Sequence, residues 1–172
     1  IVGASCGVLH VRIESVPFHR LPDNVLAIWR TLQLSDDGTV NPFFSPEFAQ
    51  ASADVRDDIM VAIIENARGE IRGLLPYVRK SKVGTPIFSD YHGLIGTLDD
   101  LEPRELIRRC GLDIWDFYYV PISQGAFRPY FFQTHESPLI DLASYELRPS
   151  SMSGIRRKRR KIERDIGPIR FE

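Results

Sequence analysis

Polar and apolar residues alternate from His10 to Val16, the period-two pattern of a strand with one buried face. After Pro22 the spacing turns helical. Val25, Ile28, Trp29 and Leu32 share one face, and Asp23 stands where a capping carboxylate belongs. Ser45-Pro46-Glu47 is a second helix start: a capping hydroxyl, a proline in the first turn and an acid at the positive end of the dipole. It predicts a helix from Pro46 to about Val55. Two β-rich runs, Met60–Ile64 and Ile71–Val78, flank Glu65-Asn66-Ala67-Arg68-Gly69-Glu70 and predict an antiparallel hairpin, with Pro76 marking a bulge or an edge.

Further on, Ile87–Phe88 and Leu94–Ile95 read as short strands around Ser89-Asp90-Tyr91-His92-Gly93. A helix is expected over Pro103–Cys110, closed by Gly111 as a left-handed cap. Ile114–Val120 alternates as a strand, and Ser137–Leu142 resembles another. Between them, Phe127, Tyr130, Phe131 and Phe132 follow no clear period. The last helix is the plainest element: serine caps at 150, 151 and 153, then Met152, Ile155, Ile162 and Ile166 on one face. Gly167-Pro168 ends it, and Ile169–Glu172 begins another alternation. This order, helices then a hairpin then alternating strands and helices, predicts an α/β (α+β) fold with a mixed, largely antiparallel sheet flanked by helices.

Composition narrows the class. The 172 residues are 43% hydrophobic and 26% charged, the balance of a soluble globular domain. No apolar run approaches a membrane span, and no basic flank precedes an apolar stretch at the N-terminus, so a cytoplasmic protein is expected. Cys6 and Cys110 form no disulfide framework, and no Cys/His spacing suits zinc. The net charge of −1 conceals an asymmetry: residues 1–153 carry 14 basic and 20 acidic side chains, residues 154–172 carry 8 and 3. Such an imbalance marks an interaction surface or a complementary acidic partner.

Candidate chemistry is sparse. The chain has no Walker A loop, dinucleotide fingerprint, His-Glu-x-x-His or nucleophile elbow. Asp90, Tyr91 and His92 place an acid, a phenol and an imidazole at one strand–loop junction. They can orient an acceptor amine or hydroxyl, or serve as a turn in which Asp90 caps backbone amides. Arg156, Arg157, Lys158, Arg160 and Lys161 line the final helix. They suit phosphates of a nucleic acid or CoA, or an anionic glycan, while the isoleucines suit docking against the rest of the protein.

Four segments, in order, carry a family resemblance. Asn41-Pro42-Phe43-Phe44-Ser45-Pro46-Glu47-Phe48 is similar to the x-P-F-x-S-P-x-F/W opening of bacterial CelD/BcsL-type proteins, GNAT acetyltransferases linked to cellulose or exopolysaccharide biosynthesis. Ile87–Gly93 resembles that family's F-S-D-Y-x-G segment, and Trp115-Asp116-Phe117 its W-x-F strand. Lys158–Glu172 resembles the R-K-L-x-R-E-x-G-P-L-R-F-E junction that leads into the catalytic module.

The resemblance implies a Fem-like tandem of two GNAT-type halves, with residues 1–149 as the N-terminal domain and 150–172 as a basic helix and first strand leading into a catalytic domain beyond the chain. It implies acetyl-CoA or another acyl-CoA as cofactor of the complete protein, held mainly by that second half. The partners would be that C-terminal domain and a small-molecule or saccharide acceptor. A GNAT pyrophosphate loop would open a helix with Gln/Arg-x-x-Gly-x-Gly/Ala. The nearest match, Arg108–Asp113, lacks the last glycine or alanine and ends a helix, so this chain alone is not expected to bind acyl-CoA tightly. The competing reading is a nucleic-acid or anionic-glycan binding module built on helix 154–165.

Overall fold

The strand β3 (Ile71–Lys80) is buried on both faces from Gly73 to Val78, and the fold is arranged around it. A computed structural model of the chain describes residues 11–88, 90–96, 101–138, 143 and 153–168. The chain forms two compact units, Ile1–Thr134 and His135–Glu172. In the first, β1 (Arg12–Pro17), β2 (Ile59–Glu65), β3, β4 (Val83–Thr85) and β5 (Ile114–Trp115) form one sheet in that order. The first four strands pair antiparallel and β4 pairs with β5 in parallel, so the sheet is mixed and largely antiparallel.

Strand periodicity assigns side chains to two cores. Ile59, Val61, Leu74 and Val78 face α1 (Asp23–Leu34) and α2 (Pro46–Ala53), packing with Phe18, Val25, Trp29, Phe44 and Ala49. Ala62, Ile64, Leu75 and Tyr77 face the other way, onto Leu106 and Cys110 of α3 (Pro103–Arg109) and its flank, and onto Leu112 and Phe127. Each fully buried aliphatic side chain contributes about 1.5–3 kcal/mol. Both layers are therefore needed to hold β3.

Local chemistry sets the element ends. The Ser45 hydroxyl accepts the Phe48 amide at 3.1 Å and Pro46 occupies the first turn of α2, as the sequence predicts. The Trp29 indole N–H donates to the Phe44 carbonyl at 2.7 Å, tying α1 to the approach of α2. In the hairpin, Asn66 Oδ1 accepts from the amides of Arg68 and Glu70, and Gly69 takes the left-handed position. Helix α3 ends in a Schellman pair: the Gly111 amide donates to Arg108 O at 3.0 Å and the Leu112 amide to Ile107 O at 3.1 Å. Gly111, at φ +69°, makes that reversal possible.

Several expectations are corrected. Asp23 does not cap α1: it lies inside the first turn, Pro22 precedes it, and no side chain caps that end. The expected strand Ile114–Val120 pairs only at Ile114–Trp115, because its neighbour β4 is three residues long. Ile87–Phe88 is not a strand, and Leu94–Ile95 contributes one bridge, Ile95 to Leu74. Ser137 and Pro138 lie in no strand. His10, residues 139–142, the serines at 150 and 151, Met152 and Ile169–Glu172 lie outside the described residues. The bulge falls at Ile64/Glu65, and Pro76 sits inside β3.

In the second unit, α4 (Ser153–Asp165) is the one helix or strand among the described residues, and it buries none of its own. Ile155, Ile162 and Ile166 are exposed, where their spacing predicts a packed face. Among the described residues of that unit nothing is available to cover them.

Two-sided packing of β3 sets a stability test. Leu74→Ala and Leu75→Ala, on opposite faces, should each cost about 2–5 kcal/mol, whereas Val55→Ala, at an exposed position, should stay within about 0.5 kcal/mol. Urea denaturation of the three variants measures this, and a near-neutral result for either leucine would mean that only one layer is packed.

Candidate functional site

The site begins with a gap in the ladder beside β3. Residues Leu74, Pro76 and Val78 present their backbone groups to the same edge. Leu74 exchanges both hydrogen bonds with Ile95, at 2.9 and 2.8 Å, and Val78 pairs with Thr85 of β4. Between them Pro76 has no N–H to offer. Its carbonyl accepts instead from His92 Nε2–H at 3.0 Å. The imidazole thus substitutes for a strand where the sheet divides between β4 and the Gly93–Ile95 segment.

A second side chain completes that segment. Gln124 accepts the Leu94 amide at Oε1 (2.9 Å) and donates from Nε2 to the Leu94 carbonyl (2.7 Å), reproducing the bonds of a missing strand. Gly93, at φ +145°, is required here because a Cβ would lie 2.6 Å from Gln124 Oε1.

The segment Ile87–Gly93 gathers parts of the chain that are distant in sequence. On one side, the Phe88 ring stacks on Phe43 at 6.1 Å with an interplanar angle of 6° and meets Phe48 edge-on at 6.5 Å. On the other, the His92 ring meets Trp115 at 5.1 Å, and Trp115 in turn contacts Phe117 and Phe127, each at 5.0 Å. The residues that the sequence singles out here do not converge on one point. Tyr91 is half-buried and packs with the core under α1 and α2. His92 is 4% exposed and packs toward Trp115. Asp90 is half-buried in a bend between Phe88 and Tyr91.

Burial determines what His92 can do. Loss of solvation pushes its pKa down to about 4, against a smaller opposing effect of the bond to Pro76. A carbonyl only accepts, so the proton resides on Nε2, and Nδ1 is a buried acceptor without a partner among the described residues. The Trp115 indole N–H is likewise buried without an acceptor among the described residues. Held at the Pro76 carbonyl and enclosed against Trp115, the imidazole is neutral near pH 7 and positions backbone. Burial also pushes Cys110 up to about 11 and Tyr77 up to about 12, so neither ionises near neutrality.

Beyond Trp115 lies a cavity of about 440 Å³, within the size range of small-molecule sites. Trp115, Phe117, Phe127 and Tyr130 form aromatic walls, Arg104 and Arg108 stand on the α3 side, and Asp113 joins the lining just past Gly111. Among the described residues the lining combines aromatic faces with two guanidinium groups and one carboxylate, the composition of a binding surface. Sequence reading places Trp115 in a strand and misses the cavity, because its walls come from α3, β5 and the 3₁₀ turn Gly125–Tyr130. The aromatic density of residues 127–132 was the signal available. Among the described residues no group of three or more His, Cys, Asp or Glu is placed to hold a metal, and no helix is long and apolar enough to cross a membrane.

Arg156, Arg157, Lys158, Arg160 and Lys161 are all exposed on α4. Arg108–Asp113 ends α3 in the Schellman turn described above and opens no helix.

No family model matches the chain, and no curated protein matches it. Two solved structures are similar in part. One is the aminoglycoside N-acetyltransferase AAC(6')-Iy in complex with CoA, at 15% identity and a TM-score of 0.42, covering 86% of this chain and 99% of that one. The other is an aminoglycoside acetyltransferase from an uncultured soil metagenomic sample in complex with sisomicin, at 14% identity and a TM-score of 0.39, covering 80% and 97%.

The buried imidazole makes stability pH-dependent. Its folded pKa, about 4, lies below the ordinary 6.5, so the unfolded chain takes up the extra proton in that window. Stability should be full above about pH 6.5 and fall by up to ~3 kcal/mol toward about pH 4. His92→Gln keeps a donor for Pro76 but cannot titrate, and its urea midpoint should lose this component of the pH dependence. An unchanged pH slope would place His92 in contact with solvent.

Proposed function

We propose that this chain is the acceptor-side half of an acyl-CoA-dependent N-acyltransferase of the GNAT superfamily, acting on a small-molecule or saccharide acceptor in polysaccharide biosynthesis. One observation carries the reading: three of the four segments that resemble the CelD/BcsL-type family meet in space. Phe43 and Phe48 of the first segment pack on Phe88 of the second, and His92 of the second packs on Trp115 of the third. Segments 41–48, 87–93 and 115–117 therefore form one assembly around the division in the sheet. Residues far apart in sequence that share a resemblance and a location are readily explained by a shared site.

The mixed, largely antiparallel sheet flanked by helices fits that superfamily's architecture. Phe88 is the exposed member of the phenylalanine cluster, and half-buried Asp90 lies two positions after it. In this reading an acceptor ring lies against Phe88, and Asp90 orients its amine or hydroxyl, while Tyr91 anchors the stretch in the core. His92 holds the segment from beneath. Acyl-CoA and the catalytic groups belong to a partner domain, the C-terminal GNAT half of the same protein, because the nearest sequence match to a pyrophosphate loop closes α3.

Acetyl transfer from acetyl-CoA to amino-sugar acceptors by the whole gene product, followed by release of the CoA thiol, tests the reading. Phe88→Ala and Asp90→Asn should raise the acceptor KM about tenfold, the equivalent of ~1.4 kcal/mol, and leave the KM for acetyl-CoA unchanged. The 172-residue chain alone should bind acetyl-CoA more weakly than micromolar in calorimetry. Micromolar binding by this chain, or an effect of the two substitutions on acetyl-CoA alone, would overturn the assignment.

A further inference from the structure

The helix α4 combines two features in one short element. Seven of its thirteen residues are cationic: Arg156, Arg157, Lys158, Arg159, Arg160, Lys161 and Arg164. Arg159 pairs with Glu163 at 2.7 Å and Arg164 with Asp165 at 3.1 Å. The other five make no ion pair among the described residues. At 100° per residue, Ile155 and Ile162, with Ile166 just beyond the helix end, fall in a stripe roughly 40° wide, flanked by Lys158 and Arg159. These isoleucines are 61%, 42% and 84% exposed.

We propose that α4 lies on an anionic phospholipid surface, parallel to the membrane plane. Its dense charge and short length exclude a spanning role, but a strongly amphipathic cationic helix is the form that binds an interface. Charge complementarity identifies the occupant: five exposed cations with no ion pair among the described residues match a layer of anionic headgroups. The isoleucine stripe decides between polyanions. A phosphate backbone would neutralise the cations and leave the apolar stripe in water, whereas a bilayer provides headgroups and hydrocarbon together. Lys158 and Arg159 beside the stripe can extend to the headgroups while their methylene stems follow the isoleucines down.

The inference is independent of acyl transfer, and flotation of the full chain with lipid vesicles tests it. Phosphatidylcholine vesicles containing about one-third phosphatidylserine should carry the chain upward, and vesicles of phosphatidylcholine alone should not. Reversing Arg157, Arg160 and Lys161 together to Glu should weaken binding by about a hundredfold, since each cation near an anionic surface accounts for roughly a fivefold factor. Changing Ile155, Ile162 and Ile166 together to Ser should weaken vesicle binding about tenfold and leave binding to a duplex DNA oligonucleotide unchanged. Because α4 buries none of its residues, all variants should keep the parent's urea midpoint. Absence of phosphatidylserine-dependent flotation, or equal flotation of the isoleucine variant, would overturn the proposal. Tighter binding to the duplex than to the vesicles would also overturn it and assign the helix to nucleic acid.

Discussion

The single hydrogen bond from His92 Nε2 to the Pro76 carbonyl is the constraint around which the first unit is organised. A proline in the interior of a doubly covered strand removes one donor from the ladder, and a carbonyl left unpaired there would cost about 1–3 kcal/mol. The chain resolves this by dividing the sheet. β4 pairs with the end of β3, Ile95 pairs nearer its start, and an imidazole occupies the interval. That imidazole stays neutral in its buried position, and its ring rests on Trp115. Trp115 is thereby held as a wall of the cavity.

Structure and proposed function meet at the same residues. Gly93 carries no side chain where Gln124 lies against it, and Gln124 holds Leu94 as a strand would. The segment Ile87–Gly93 is consequently clamped at its His92–Gly93 end, and Phe88 is supported from the other side by Phe43 and Phe48. A rigid scaffold under a partly exposed stretch is the usual arrangement of a recognition element. In the proposed reading, the aromatic and acidic side chains on this stretch bind the acceptor. His92, buried and neutral, supports this stretch through its bond to Pro76.

What was legible in the sequence was local. The Ser45-Pro46 start of α2, the Asn66/Gly69 turn and the Gly111 terminator each depend on residues within a few positions, and each forms as its pattern predicts. What failed was non-local. Ile114–Val120 alternates well, but a strand needs a neighbour, and β4 is too short to supply one. β4 itself, Val83-Gly84-Thr85, is too brief to show a period. His92 was legible as a residue of interest, yet nothing in Asp90-Tyr91-His92 reveals that its partner is a proline carbonyl 16 residues earlier. The cavity was illegible because three separate elements build its walls. On α4 the apolar stripe was readable, but periodicity reports an amphipathic face without specifying what covers it.

Native-state hydrogen exchange tests most directly the claim that β3 and its His92 closure organise this unit. The amides of Leu75 and Val78, in the paired interior of β3, should exchange only through global unfolding, with those of Ile95, bonded to Leu74, and Leu94, bonded to Gln124, close behind. His92→Ala should lower the protection of Leu94 and Ile95 by more than that of the β1–β2 amides. Equal loss across the sheet, or Leu94 and Ile95 already exchanging by local opening in the parent protein, would contradict the account.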